Sequence, residues 1–461
     1  MSKPIEAILI GAGQRGADSY GPYALRYPDQ LRFVAVAEPD PARRERFSRQ
    51  HGIPTGRQYT SWEELLALPP LGEAALICTQ DWQHTAPALA AMQAGYHVLL
   101  EKPMATTLEE CIQLVQASEA SGQQLHICHL LRYTRHFTKM REIIQSGVLG
   151  QIVDVAHREN VAYWHMAHSY VRGNWRKAEE TSPMILAKCC HDLDILLWLL
   201  DRDCLRLSSS GALTHFRSEN APPGAPARCL DGCPASERCL YYAPWIYQSL
   251  TPIWRSVAET ASGVTRAATR AYLEQPELIR ALSKAVPMLR QITEYRGLPV
   301  SAVVPDPTPE AVEQALREGP YGRCVYHCDN NVVDHQVVLM EFEGSLPVTL
   351  SMHGHSHVSL RSTRIEGTRG MLQAELGNGG SWITVAEHRS DRHMRYDTTA
   401  IDLNGHGGGD FALLQGFLES IQGSGEHART TARQSLASHR MAFAAEQARL
   451  EHSVIALEPL A

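Results

Sequence analysis

Residues 5–25 read "IEAILIGAGQRGADSYGPYAL", and the break from an apolar run into three spaced glycines decides the fold around it. Ile5 to Ile10 suits a short buried strand, after which Gly11, Gly13 and Gly16 turn the chain into a helical pattern. A lone G-x-G-x-x-G says little. Here it follows a strand, opens a helix and precedes a second strand, "LRFVAVAEPD" (31–40), in which Glu38 falls 22 residues after Gly16. That context is what a dinucleotide-binding fingerprint requires. Gly11 permits the tight turn, Gly13 lets backbone approach a pyrophosphate, and Gly16 permits close packing of helix on strand. The helix N-terminus, with Gln14 and Arg15 in its first turn, offers N–H groups and a positive dipole end to phosphates. A carboxylate at Glu38 accepts from ribose hydroxyls and repels a 2′-phosphate, which favours NAD over NADP. Arg43 and Arg44, a few residues on, pull the other way.

The alternation continues outward. A helix near 40–50 and "SWEELLAL" (61–68) lead to a strand "EAALICTQ" (73–80), a helix "HTAPALAAMQAG" (84–95) and a strand "HVLLEKP" (97–103). Repeated β-α-β predicts a doubly wound parallel sheet, with ligands beyond the carboxyl ends of its strands. Thr79, Trp82 and His84 of "TQDWQH", and Glu101 and Lys102 of "EKP", therefore join the expected cofactor-binding residues.

The chain has 461 residues, room for two or three domains, with 44% hydrophobic and 20% charged residues. Its net charge of −7, from 43 basic and 50 acidic side chains, offers no nucleic-acid surface. No run approaches the ~18 apolar residues of a membrane span, and "MSKPIEAILIGAG" lacks a secretory h-region. Eleven cysteines at this length do not resemble a secreted disulfide framework. The expectation is a cytoplasmic protein with reduced thiols and no membrane or nucleic-acid partner.

Taken in order, "GAGQRG", "TQDWQH", "EKPMATTLEEC", "LLRYTRHFTKMREIIQSGVLGQIVDVAHRE" and "CCHDLDILLWLL" resemble the Gfo/Idh/MocA family of nicotinamide-dependent oxidoreductases, over about 1–200 and again about 330–455. The resemblance implies an α/β chain: an N-terminal Rossmann domain (1–125), then an α+β domain (126–461) with a large open, mostly antiparallel sheet. The active site lies between them, the substrate is a sugar, cyclitol or similar compound, and the assembly is a homodimer or homotetramer. Lys102 matches the family's active-site lysine, His191 its histidine, and Asp194 the carboxylate three residues on. The chemistry agrees. A hydride leaves a carbinol carbon only if the hydroxyl proton leaves too, so a base and a cation beside the oxygen are both useful. On a helix, positions i and i+3 share a face, so Asp194 is expected to orient the His191 imidazole. Tyr133 and Lys188 complete the expected proton-transfer groups. One departure is plain: many members carry an aspartate four residues before the histidine, whereas this chain has Ala187, with Lys188 beside it.

The stretch "RENVAYWHMAHSYVRGNWRKAEETSP" (158–183) is expected to form the substrate wall, because Tyr163, Trp164, His165, His168, Tyr170 and Trp175 join flat rings to hydrogen-bonding tips. Arg172 is a candidate clamp for an anionic group. From about 215 to 330 an insert departs from the family plan. Its Cys229, Cys233 and Cys239, with Cys324 brought back by the chain, suit a structural zinc site as well as independent thiols. "NVVDHQVVLMEFEGSLPVTLSMHGHS" predicts an antiparallel pair. His353, His355 and His357 make a weak metal signal on one strand, and His406 is a further candidate for the site. The functional expectation is an NAD-dependent oxidoreductase acting on a sugar or polyol. The rivals are a redox-neutral NAD-dependent glycosidase and a cofactor-binding regulator without turnover.

Overall fold

The structure is a computed structural model that describes residues 3–261, 263–295, 297–377, 380–400, 408–423 and 429–458. Strands β1 (Ile5–Ile10), β2 (Leu31–Ala37), β3 (Gln58–Tyr59), β4 (Ala74–Ile77), β5 (His97–Leu100) and β6 (Leu125–Ile127) form one sheet in the order β3-β2-β1-β4-β5-β6. Every pairing in it is parallel. Strand residues alternate between two cores: Ala7 and Leu9 join one apolar cluster, Ile8 and Ile10 the other. Burial on both faces explains why these strands read as continuous apolar runs, each fully buried Leu or Ile contributing about 2 kcal/mol. β1 lies between β2 and β4, where the strand order reverses, so a crevice opens beyond its carboxyl end. The helical turn that follows is wider than an α-helix, with the Gly21 N–H bonded to the Gly16 carbonyl.

The second sheet joins β7 (Ile152–Ala162), β8 (Cys204–Ala212), β9 (His335–Phe342), β10 (Leu346–Ser356), β11 (Leu360–Gly367), β12 (Gly370–Gly377), β13 (Gly380–Glu387), β14 (His393–Asp397) and β15 (Val454–Ala456). Its order is β14-β13-β12-β11-β7-β10-β9-β8-β15, antiparallel except between β7 and β10. The β9–β10 pair predicted from alternation is present, with Phe342 opposite Leu346. Two helices, Cys190–Leu200 and Ala432–Glu451, pack against each other, and the second also packs on β8.

Between Ala212 and His335 the chain leaves the sheet and builds short helices around their own apolar cluster, including Ile246, Trp254, Tyr272 and Leu316. The chain's end then returns to the first sheet. The Ile127 N–H donates to the Thr430 carbonyl, and Ala432 and Leu436 enter one of the Rossmann cores. The two halves are therefore tied at both the 127–135 exit and the C-terminal helix.

Candidate active site

The glycine loop has the shape a pyrophosphate needs. Gly11 has φ +92°, and a Cβ there would meet the Cys78 carbonyl oxygen at 2.6 Å. A Cβ on Gly16 would strike the Gly11 carbonyl, whereas before Gly13 the nearest atom is Arg43 Nη1 at 4.0 Å. Two positions thus exclude side chains by contact, and the third leaves open space for a ligand. Glu38, only 5% exposed, accepts from the Ala12 N–H at 2.7 Å and the Asp40 N–H at 3.0 Å. Its carboxylate is held against the loop at the end of β2, and these residues fit a dinucleotide.

The other expected cofactor residues divide. Gln14 is exposed and Trp82 is 58% exposed, free to meet a ligand. Thr79 donates to the Gln83 carbonyl, and buried His84 lies between the Pro103 carbonyl (Nδ1, 2.6 Å) and that of Thr79 (Nε2, 3.3 Å), tying two strand-end turns together. Arg15 is committed to Glu101 at 2.6 Å, Asp410 at 2.6 Å and the Tyr20 hydroxyl at 2.7 Å. Although burial pushes the Glu101 carboxyl up, Arg15 and Tyr20 hold it below the usual range.

Lys102, two residues past β5, reaches across to the second domain. Its Nζ donates to the Ala187 carbonyl at 2.8 Å and lies 5.9 Å from the centre of the Trp175 ring. At the position where this chain carries Ala187 instead of an aspartate, the lysine's acceptor is the main-chain carbonyl. Trp175 is itself fixed: its Nε1–H donates to Asp81 at 2.8 Å, as does the Ser182 hydroxyl at 2.8 Å. Asn174 adds a bond to Gln80. The wall loop is therefore docked on the turn after β4.

His191 opens the helix Cys190–Leu200, and its Nδ1 lies 3.4 Å from Nδ1 of His129. Both Asp194 oxygens accept from Arg132, at 2.7 and 2.6 Å, and Asp194 Oδ1 lies 3.9 Å from His129 Nε2. On the helix's other side Asp192 meets His157 Nε2 at 2.9 Å and Arg361 at 2.7 Å. Arg361 and Lys188 share Glu159 at 2.8 and 3.3 Å. Burial pushes the Asp192 carboxyl up, but Arg361 and His157 hold it well below the usual range. Cys190, beside His191, is pushed up to about 12 by burial and is no thiolate nucleophile.

Several expectations are corrected. Arg172 is 1% exposed and donates to the carbonyls of Arg323 and Tyr241, so it braces the insert rather than clamping a substrate. His168 is buried, stacked on Tyr321 and bonded to the Tyr247 hydroxyl; burial, then Arg172, lowers it to about 3. Trp164 packs into the insert's core with His165 stacked on it, and Tyr163 stacks on Trp245. Of the expected wall residues, Trp175 is the one beneath Lys102. The Tyr133 hydroxyl accepts from the Arg429 N–H and its ring lies under that guanidinium. Cys229, Cys233, Cys239 and Cys324 line a cavity of ≈10 Å³ together with Arg172, which stands 3.5 Å from the Cys229 sulfur. Among the described residues no group of three or more His, Cys, Asp or Glu is arranged to hold a metal. His353, His355 and His357 are no exception: His355 faces Asp334 and His357 faces Glu259. His406 lies outside the described residues.

Sequence reasoning missed His129, Asp81, Asp192, Glu159 and Arg361. His129 and Asp81 carried a signal, since both follow the carboxyl ends of parallel strands.

Residues 5–129 match the family model described as the NAD-binding Rossmann fold of the Gfo/Idh/MocA oxidoreductases, and residues 141–217 match that of their C-terminal alpha/beta domain. The chain is 35% identical to 1,5-anhydro-D-fructose reductase of Ensifer adhaerens over 34% of its own length and 45% of the relative's. It is 32% identical to inositol 2-dehydrogenase of Pseudomonas syringae pv. syringae over 34% and 46%. It is 22% identical to the putative oxidoreductase YteT of Bacillus subtilis over 52% and 57%. The chain thus spans about half the length of these relatives. Among solved structures, aldose-aldose oxidoreductase from Caulobacter crescentus, complexed with glycerol, superposes with a TM-score of 0.64 at 14% identity, covering 99% of this chain and 100% of that one. The WlbA dehydrogenase from Bordetella pertussis, in complex with NADH and UDP-GlcNAcA, gives 0.63 at 15% identity, over 100% and 99%. At such identities the likeness is one of fold. Among the described residues no helix is long and apolar enough to cross a membrane.

Proposed function

The chain belongs to the Gfo/Idh/MocA oxidoreductase family, and from that premise we propose that it is an NAD-dependent enzyme interconverting a hydroxyl and a carbonyl on a sugar or sugar-like polyol. The observation that carries this reading is Lys102, held at the carboxyl end of the parallel sheet between the Ala187 carbonyl and the Trp175 ring. An ammonium has three donors. One is spent on Ala187, which leaves two for a substrate oxygen as it gains negative charge. His191 takes the hydroxyl proton, and the Trp175 ring offers a flat apolar face to sugar C–H groups. The Gly11–Gly16 loop and Glu38 would hold NAD, which supplies the hydride acceptor when bound. The curated relatives support the substrate class, being an anhydrofructose reductase and an inositol dehydrogenase. Val337 and Leu339, exposed on one face of the second sheet, support a homo-oligomer built on that face.

The test is absorbance at the reduced-nicotinamide band on adding NAD with a panel of aldoses, cyclitols and aryl glycosides. Stoichiometric NADH establishes the dehydrogenase. Release of aglycone without net NADH establishes the redox-neutral glycosidase instead, and NAD binding with neither leaves the regulator.

A further inference from the structure

We infer that His129 is a positioning residue: it links Asp194 to His191, holding the His191 proton on Nδ1 and its lone pair on Nε2, the tautomer that a base acting through Nε2 requires. This deepens the oxidoreductase reading and rests on it for the role of His191.

His129 follows β6 and is fully buried. Its Nδ1 is 3.4 Å from the Nδ1 of His191, while its Nε2 makes no hydrogen bond and lies 3.9 Å from Asp194 Oδ1. Two facing imidazole nitrogens need one proton between them. If His129 supplied it, the His129 Nε2 lone pair would face a carboxylate, and His191 would carry its own proton on Nε2, where a base needs a lone pair. If His191 supplies it, the His129 proton sits on Nε2 and points at Asp194. The second arrangement places each proton between a donor and an acceptor. The first opposes lone pair to anion in a buried site, where such a contact costs most.

The surroundings favour the same tautomer. Burial raises the Asp194 carboxyl above its usual value and Arg132 opposes that rise with two bonds, so the oxygen facing the His129 dipole belongs to an arginine-paired carboxyl group. His439, whose ring is 5.5 Å from that of His129, does not compete for the proton. Its Nε2 accepts from the Met104 N–H at 2.8 Å, so its proton is on Nδ1, donated to the Ser435 carbonyl at 2.8 Å. The charges facing His129 are Arg132 from its own turn, Lys102 and Glu101 from the end of β5, and Asp194 from the helix of His191. Burial first, then Arg132 and Lys102, hold His129 well below its ordinary value, so it stays neutral and keeps an acceptor. Asp194 thus acts on His191 at one remove, the direct route being occupied by Arg132. When the substrate hydroxyl gives up its proton to Nε2, the Nδ1 proton stays in place and the new positive charge is shared toward His129 and Asp194.

The experiment compares wild type, His129→Phe and His129→Asn, full length, the asparagine Oδ1 restoring an acceptor near the Nδ1 position. Histidine ring ¹⁵N shifts, with His191 assigned from a His191→Gln variant, read the tautomer without any turnover. The wild type is expected to show His191 protonated on Nδ1 alone near neutral pH, and His129→Phe to lose that preference. With a turned-over polyol, His129→Phe should lower kcat about a hundredfold, the lower range for a general base. KM and NAD affinity should stay within about threefold, and His129→Asn should recover about tenfold of the loss in kcat. A wild-type His191 protonated on Nε2 would overturn the inference. So would a His129→Phe enzyme of unchanged kcat, or a folded, NAD-binding His129→Asn no better than the phenylalanine variant. If no polyol or glycoside is turned over at all, the oxidoreductase reading fails, and the tautomer still decides the link.

Discussion

Asp81→Ala tests how the wall of the site is fastened to the cofactor domain. The buried Asp81 carboxylate takes both the Trp175 indole N–H and the Ser182 hydroxyl on one oxygen, each at 2.8 Å. Hydrogen bonds to a charged acceptor contribute about 1.5–3 kcal/mol each, and two donors on one oxygen share its charge, so their joint worth is nearer 3 than 6 kcal/mol. Relief of the carboxylate's own desolvation offsets about 1 kcal/mol of that, which leaves a net loss of about 2 kcal/mol. Trp175→Phe keeps a smaller aromatic face and deletes the donor, and in a cycle of Asp81→Ala, Trp175→Phe and the double variant in urea unfolding the packing change cancels, which isolates that bond. The expected coupling is about 1.5 kcal/mol. With Trp175 unfastened from beneath Lys102, KM for the polyol should rise about tenfold, the factor for ~1.4 kcal/mol, while NAD affinity holds. Effects that add within about 0.5 kcal/mol would refute the coupling. A loss of NAD affinity as large as the rise in KM would show that Asp81 serves the cofactor turn instead.

Lys102→Met should lower kcat by at least about a hundredfold with NAD affinity retained, since it removes the donors aimed at the developing oxyanion; loss of NAD binding in a titration would refute that role. Glu38→Ser should shift preference toward NADP, because the carboxylate goes while Arg43 stays beside Gly13; an unchanged ratio of the two affinities would place the ribose elsewhere. Stability should fall with acidification. Burial holds His126 and His136 at about 4 and His168 and His439 at about 3. The unfolded chain, with histidines near 6.5, therefore binds more protons below that pH, so stability is complete above about 6.5 and is lost toward 4, at about 1.4 kcal/mol per unit for each histidine. Urea midpoints that stay level from pH 7 to 5 would contradict this.

The first sheet was legible because burial on both faces writes unbroken apolar runs, and the glycine loop writes its own contacts. The positions of Glu38 and Lys102 were legible too, since both follow the carboxyl ends of parallel strands, where ligands of such sheets collect. The wall was not. Tyr163, Trp164, His168 and Arg172 have the composition of a carbohydrate site, yet they are consumed by the insert. The insert's own apolar cluster takes in Trp164 and packs against Tyr163, and its main-chain carbonyls take the arginine. The partner of Asp194 was hidden for a different reason. Spacing on the helix put His191 on its face, but Arg132 comes from a turn 62 positions earlier and takes the carboxylate with two bonds. The four cysteines converge in space as expected, and what the sequence did not disclose is that a buried arginine converges with them.

The crowd of ionisable groups around His191 has a mechanical explanation. Successive helix residues turn by about 100°, so Asp192 and Asp194 leave the helix on nearly opposite sides with His191 between them. Asp192 is bonded to Arg361 on β11 and His157 on β7, both belonging to the second sheet. Asp194 is bonded to Arg132, in the turn by which the chain leaves the Rossmann sheet. Each acid ties the helix to a different half of the molecule. An apolar helix face alone would slide and rotate at little cost, whereas two buried arginine–carboxylate pairs cannot shift without stranding charge, a penalty of about 3–5 kcal/mol for each pair broken. That is large against the few kcal/mol by which domains are stable, so the position of His191 relative to Lys102 is set by both halves together. Apolar residues of similar volume would stabilise the helix as well or better. What the charged pairs add is direction, which a base that must meet a proton at hydrogen-bonding distance requires.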